Sequence, residues 1–419
     1  MRIILVTGLG GAGRTTVAAA TALAEARAGH RVLLVSEDPD PLRGPLPEAL
    51  GGAGTPQGST PRLPDGEQGS TPRSADDEQG STPPLPGGGS LRVHRPDPAA
   101  DFRREFLALQ ARSGAALDLL GAAPFEDAEL TELPGSRQFA LLRALRDAAA
   151  GEHDLAVVDL PPLPEALALL ALPEQLRRYL RRLLPPERQA ARALRPMLAQ
   201  LAGVPMPAQW LYETTARWEA ELAAAQAVAD APTTRVRLVL EPGPAAVRAL
   251  RTARLGLALQ GLALDAVVAN RLLPADSEDP WLAGLTAQQH RHLAELRTAA
   301  GVVHELPHLG RDPRGAEDLA LLASVPPAVP LAPAPGREVE DRREEDGVLV
   351  WHLALPGAVK EELSLVRRGD ELLLTVGPFR RHLALPGALR RCTVTGAGLV
   401  DGDLRVRFTP DPGLWPRTP

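Results

Sequence analysis

Residues 2–27 constrain the fold of this chain more than any other stretch. "RIILVT" (2–7) is a nearly unbroken apolar run, "GLGGAG" (8–13) places four glycines in six residues, and "RTTVAAATALAEARAG" continues with helical periodicity. A strand that is apolar on both faces belongs inside a sheet covered on both sides. A glycine turn leading from it into a helix leaves unpaired N–H groups of the first helical turn facing the strand end, where an anion can be held. The stretch predicts an α/β domain with a phosphate-sized site at the carboxyl end of its first strand.

Four more runs of the same kind follow: "RVLLVS" (31–36), "DLAVVDL" (154–160), "RVRLVLE" (235–241) and "LDAVVAN" (264–270). Their alternation with helical patterns predicts a mostly parallel sheet. Two segments break the rhythm. Residues 51–90 contain three copies of an eleven-residue unit, "QGSTPRLPDGE", "QGSTPRSADDE" and "QGSTPPLPGGG"; so little apolar surface cannot offset the entropy of ordering, so a disordered insertion is expected. Residues 165–230 are Leu/Ala/Arg-rich and helical in period, as in "EALALLALPEQLRRYLRRLL". They predict a helical subdomain packed on the sheet, with a groove for an apolar protein client as the alternative. The Pro-rich and then charged segment 326–346 reads as a linker. From 347 to 410 short alternating strands predict a small all-β sandwich.

Composition limits the function. Net charge is −6 with both signs mixed along the chain, so no basic surface points to nucleic acid. The apolar N-terminal run is interrupted at Gly8 before a secretory core could form, and the longest uncharged stretch, 196–212, carries three prolines, so neither export nor an integral membrane span is expected. Cys392 is the sole cysteine, which excludes a disulfide framework and a cysteine-cluster metal site and fits a reducing cytoplasm. Lys360 is the sole lysine, so arginine carries nearly all positive charge.

The glycine loop admits two readings. It follows G-x-x-x-x-G-K-[ST] through Gly8, Gly13 and Thr15, with Arg14 where lysine stands; Thr15 would then ligate Mg²⁺ beside ATP, and Asp159, ending another apolar strand, would complete the metal side. It also follows G-x-G-x-x-G through Gly8, Gly10 and Gly13, with Glu37 or Asp38 ending the second strand, which is the dinucleotide fingerprint. "RTT" at the helix start and Asp159 favour the first. Arginine keeps the charge but is bulkier than an ammonium group, so binding should suffer less than chemistry.

Taken in order, "GLGGAGRTT", "SEDPD" (36–40), "LRVHRPDP" (91–98), "ELPG" (132–135), "HDLAVVDLPP" (153–162), "LLALPEQL" (169–176), "RVRLVLEPGP" (235–244) and "AVVANRLLP" (266–274) resemble the arsenite-pump ATPase family, which includes ATPases that target tail-anchored membrane proteins. The resemblance runs over nearly all of residues 1–325. It implies Gly10, Gly11, Ala12, Gly13, Arg14, Thr15 and Thr16 around the phosphates of ATP, Asp38 orienting the attacking water, Thr15 and Asp159 on the Mg²⁺ shell, and Asn270 near the adenine. Two departures stand out: Leu9 replaces the signature lysine that would reach a partner's phosphates across a homodimer, and the switch II sequence has become "DLPPLPEA" (159–166). Residues 347–410 resemble the α-crystallin domain of small heat-shock proteins, with only "GP" left of the loop between Val376 and Phe379.

The expected function is therefore an ATP-binding, slow ATPase working as a nucleotide-gated homodimer in the cytoplasm on an unidentified client. A catalytically silent nucleotide-binding scaffold is the alternative, and a dinucleotide oxidoreductase the third reading. Arsenite transport and a zinc-bridged dimer are not expected, because both need thiolates.

Overall fold

Alternate residues of the apolar runs face opposite sides of one sheet, and both sides are covered. The computed structural model of the chain describes residues 1–42, 88–112, 123–184, 209–323 and 337–414. Seven strands, β1 (Arg2–Gly8), β2 (Arg31–Val35), β3 (Ser90–His94), β4 (Leu155–Asp159), β5 (Thr234–Leu240), β6 (Ala263–Leu272) and β7 (Val303–Pro307), form a parallel sheet in the order β3-β2-β4-β1-β5-β6-β7. The α/β expectation holds, with two edge strands added. β3 and β7 escaped the run-of-apolars criterion because an edge strand is only half covered, and each has a single fully buried residue.

The helices are α1 (Arg14–Arg27), α2 (Pro98–Arg112), α3 (Ser136–Ala150), α4 (Leu163–Leu183), α5 (Gln209–Asp230), α6 (Ala246–Gln260), α7 (Pro280–Ala300) and α8 (Gly315–Leu321). Ile4, Val6, Val32, Leu34 and Val157 pack with α1 and α8 on one face. Ile3, Leu5, Val35, Val158 and Leu238 pack with α3, α4, α5 and α6 on the other. α2, α3, α4 and α5 make the helical layer expected around 165–230; residues 185–208 lie outside the described residues.

One charge sits in the middle of the sheet. Arg237 on β5 is 1% exposed and donates to Asp265 Oδ2 on β6 through Nε (2.9 Å) and Nη2 (2.6 Å), while its Nη1 donates to Thr21 on α1. A buried ion pair of this kind depends on its hydrogen bonds; two donors converge on Asp265 Oδ2 while Oδ1 is buried without one.

The repeats of the 51–90 insertion and residues 326–336 of the expected linker lie outside the described residues; the chain re-enters the sheet at Ser90. The last part of the expected linker is corrected: Val339–Arg342 is strand β8, antiparallel to β9 (Val348–Ala354). It is a short edge strand with three consecutive charged residues, Glu340, Asp341 and Arg342, which is why composition alone reads as linker. The sandwich pairs β10 (Leu363–Arg368), β11 (Glu371–Val376) and β12 (Phe379–Ala384) against β13 (Cys392–Val400), β14 (Asp403–Pro410), β9 and β8. Val376 pairs with Phe379 across the two-residue turn that "GP" requires. The sandwich docks on the α/β domain rather than standing apart: Leu255 and Leu259 of α6 belong to its core, Arg381 bridges to Glu174 on α4 (2.8 Å), and Arg178 pairs with Glu371.

Candidate functional site: the glycine loop and its two switches

The loop lies at the carboxyl end of β1, where β4 and β5 flank it. Gly8 is required by close approach, since a Cβ there would stand 1.9 Å from the Val239 carbonyl oxygen of β5. Gly13 caps α1 with φ 85°, a left-handed conformation that favours glycine, and a Cβ would meet the Asn270 amide at 2.4 Å. Gly10 and Gly11 are exposed, and a Cβ at either would meet nothing within 4 Å. The loop thus presents an open backbone concavity at a helix N-terminus, the arrangement that holds phosphates.

Thr15 and Asp159 are brought together as expected: Thr15 Oγ1 donates to Asp159 Oδ2 at 2.7 Å. Ser36, fully buried at the end of β2, donates to the same oxygen at 3.0 Å and accepts from the Asp38 backbone N–H. Asp159 Oδ1 is buried without a hydrogen-bond partner. Burial pushes this carboxyl above the ordinary carboxylate range, against the Thr15 and Ser36 hydrogen bonds and the charge of Arg14. A hydroxyl, a carboxylate and an unused buried oxygen beside an anion site suit a small hard cation such as Mg²⁺, which would reverse that destabilisation of the charged form.

Arg14 points elsewhere than the expectation placed it. Its Nη1 donates to the Leu160 carbonyl, the first residue beyond β4 on switch II. Leu9 is half-buried against both apolar layers of the sheet. Thr16 lies in the first turn of α1. Asn270, 4% exposed, donates to the Ala12 carbonyl at 2.8 Å, so it fastens the loop to β6. Arg271 beside it has φ 61°, a strained conformation for a side chain, and Gln289 of α7 holds its carbonyl. Asp38 sits on the turn after β2, its Oδ1 accepting from the Asp40 N–H.

Three features of the site were missed in the sequence. Ser36 was legible only as the end of an apolar run. The Thr7 hydroxyl, which donates to the Pro161 carbonyl at 2.8 Å and ties β1 to switch II, gave no signal. Nor did Arg137 at the start of α3, which pairs with Glu37 of the β2 turn a hundred residues away.

With this geometry in hand, comparison with known proteins decides between the two readings of the loop. The model of the anion-transporting ATPase family matches residues 1–42 and 90–325, more than half of the chain. The chain belongs to that family. A second model, the HSP20-like domain found in ArsA, matches residues 346–408 and accounts for the sandwich. A Streptomyces coelicolor protein is 57% identical over 420 residues, covering 100% of both chains. A Mycobacterium tuberculosis protein is 32% identical over 444 residues, 99% of this chain and 97% of its own. An Aquifex aeolicus protein provisionally named arsenical pump-driving ATPase 1 is 25% identical over 409 residues, 93% of this chain and 95% of its own. Membership makes the chain an ATP hydrolase, sets aside the dinucleotide reading, and leaves the phosphate-loop reading of Gly8–Thr15. Among the described residues no helix is long and apolar enough to cross a membrane.

Proposed function

We propose that the chain is a slow ATPase that binds Mg²⁺·ATP on the loop Gly10–Thr16, closes as a homodimer around it in the cytoplasm, and couples that closure to an apolar protein client. The observation that carries the nucleotide part is the Thr15–Asp159 hydrogen bond with the orphaned Asp159 Oδ1 beside it. Mg²⁺ bound there would neutralise phosphate charge. The loop N–H groups would hold the phosphates, Thr15 and Asp159 would hold the cation, and Asp38 would orient water for attack on the γ-phosphorus. Asn270 keeps the loop in place, which is a role short of contacting adenine. The exposed Gly10 and Gly11 leave one side of the cradle to be covered by a second copy.

Slow turnover follows from Arg14 and Leu9. The guanidinium is engaged with Leu160, and no charge comes from position 9. Each donor lost from a phosphoryl-transfer site typically costs a few kcal/mol of barrier. The silent-scaffold reading stays second, and "DLPPLPEA" favours it, because adjacent prolines stiffen the segment that would respond to the γ-phosphate.

The client part rests on a groove in the helical layer. A cavity of about 420 Å³ opens between α2, α3, α4 and α5, walled by Phe102, Phe106, Phe139, Leu176 and Trp218, with Arg143 at its rim. Thiolate-held arsenite does not suit this chain: Cys392 is buried in the sandwich, and its Sγ donates to the Ala388 carbonyl.

Titrating the purified chain with fluorescent ATP and ADP, with and without Mg²⁺, while following mass by light scattering, tests the reading. Mg²⁺-dependent ATP binding accompanied by a doubling of mass is expected. Nucleotide binding indifferent to Mg²⁺, or a mass unchanged by ATP, would remove the cation site or the homodimer respectively.

A further inference from the structure

Arg137 occupies a position that local helix physics disfavours. It lies in the first turn of α3, where the partial positive charge of the helix N-terminus repels a cation, and that turn contains no acidic residue of its own. The missing acid comes from the turn after β2, "SEDPD" (36–40), which is switch I in the resemblance above. Arg137 Nε donates to Glu37 at 2.8 and 2.7 Å, and Nη2 donates to the same carboxylate. The carboxylates of Glu165, in the first turn of α4, and of Asp159 add to the field on this guanidinium. One cation therefore stands where switch I, switch II and α3 meet.

Its grip falls on the short turn after β2. Ser36 is locked from below, donating to Asp159 Oδ2 and accepting from the Asp38 N–H. Glu37 is the residue between them, and its side chain leaves the turn on the other side to meet Arg137. The Ser36 hydroxyl and the Glu37–Arg137 pair both bear on the position of Asp38, beside its own bond to the Asp40 N–H. The fork geometry of arginine suits this, because two donors fix a carboxylate's orientation where one would let it swing.

We propose that Arg137, acting through Glu37, is a positioning residue for ATP hydrolysis that holds the 36–38 turn so that Asp38 faces the attacking water. The proposal rests on the nucleotide reading above. It also ties α3, whose Phe139 and Arg143 line the apolar cavity, to switch I through its first turn.

The test compares Arg137→Gln, Glu37→Gln, the double variant and Arg137→Lys, with Arg297→Gln as control because it removes an exposed ion pair from α7 to Glu305 on β7, at the opposite edge of the sheet from the β2 turn. Each single Gln variant should lower kcat about ten-fold while the ATP dissociation constant stays within about two-fold. The double variant should be no slower than either single one, and Arg137→Lys should fall between. Hydrogen exchange on the nucleotide-free chain supplies a readout independent of turnover: the amides of Glu37, Asp38 and Asp40 should exchange faster in the Gln variants and unchanged in the control. Additive losses, equal losses in ATP affinity, or unchanged exchange at these amides would each overturn the proposal. If the unmodified chain binds no ATP the nucleotide reading fails, and the exchange measurement alone then decides whether Arg137 holds the turn.

Discussion

Arg14 and Leu9 set the chemistry of this site at the scale of single residues. The guanidinium lies on the Leu160 carbonyl, and Leu9 is packed against the sheet's two apolar layers; the proposed slow turnover rests on neither supplying charge to phosphoryl transfer. Replacing both with lysine should raise kcat by about ten-fold or more, one such step being about 1.4 kcal/mol of barrier. Unmodified turnover that is already fast, and is abolished by Arg14→Ala, would show instead that arginine does the lysine's work. Arg237 tests a different balance. Arg237→Met leaves Asp265 buried and unpaired, and denaturant unfolding should show a loss of about 3–5 kcal/mol. The double variant Arg237→Met with Asp265→Leu should recover most of it, since a buried pair replaced by apolar groups is often neutral. The apolar run "RVRLVLE" was legible as a strand; that Arg237 within it is buried was not, because its partner Asp265 is 28 residues away. Asn270 was legible as a site residue, but its fastening of Ala12 depends on β6 lying beside the loop.

At the scale of elements, closeness of backbone decides what the glycines do. Gly8→Ala should force β1 from β5, because the added carbon meets a carbonyl rather than a flexible side chain, and both the unfolding midpoint and ATP binding should fall sharply. Gly10→Ala, with open space around it, should leave stability nearly unchanged. Strand β8 offers a pH test. His352 on β9 sits between Asp403 of β14 (2.8 Å) and Glu340 of β8 (3.2 Å), with Arg405 sharing Asp403, and these carboxylates raise its pKa above the ordinary value. A pKa raised on folding adds stability that is complete below the unfolded value near 6.5 and is lost as pH rises through the folded value. Exchange protection at Glu340–Arg342, corrected for intrinsic rates, should therefore weaken between pH 6 and pH 8.5. In His352→Gln that pH dependence should vanish. The group is partly exposed, so the effect should be small and should shrink in salt.

For the whole molecule, the sandwich and the α/β domain share a core. Leu255 and Leu259 of α6 are buried by the sandwich, and Arg337 and Arg381 both donate to the Leu259 carbonyl. A chain ending at residue 336 would expose both leucines and leave Glu174 without Arg381, so it should bind apolar dye and lose about 3–6 kcal/mol of stability at roughly 1.5–3 kcal/mol per leucine. A truncated chain with unchanged melting and no dye binding would show the sandwich to be independent, as its sequence alone suggests. By itself the sequence determined the central strands, the position of the loop and the presence of a β-sandwich, because these follow from local periodicity and from the glycine turn between strand and helix. Tertiary structure alone decided where the charges go. Arg14 turns to Leu160, Arg137 to Glu37, Arg237 to Asp265 and Arg381 to Glu174, since long flexible cations take whichever carboxylate or carbonyl the fold brings near, and sequence separation carries no record of that distance.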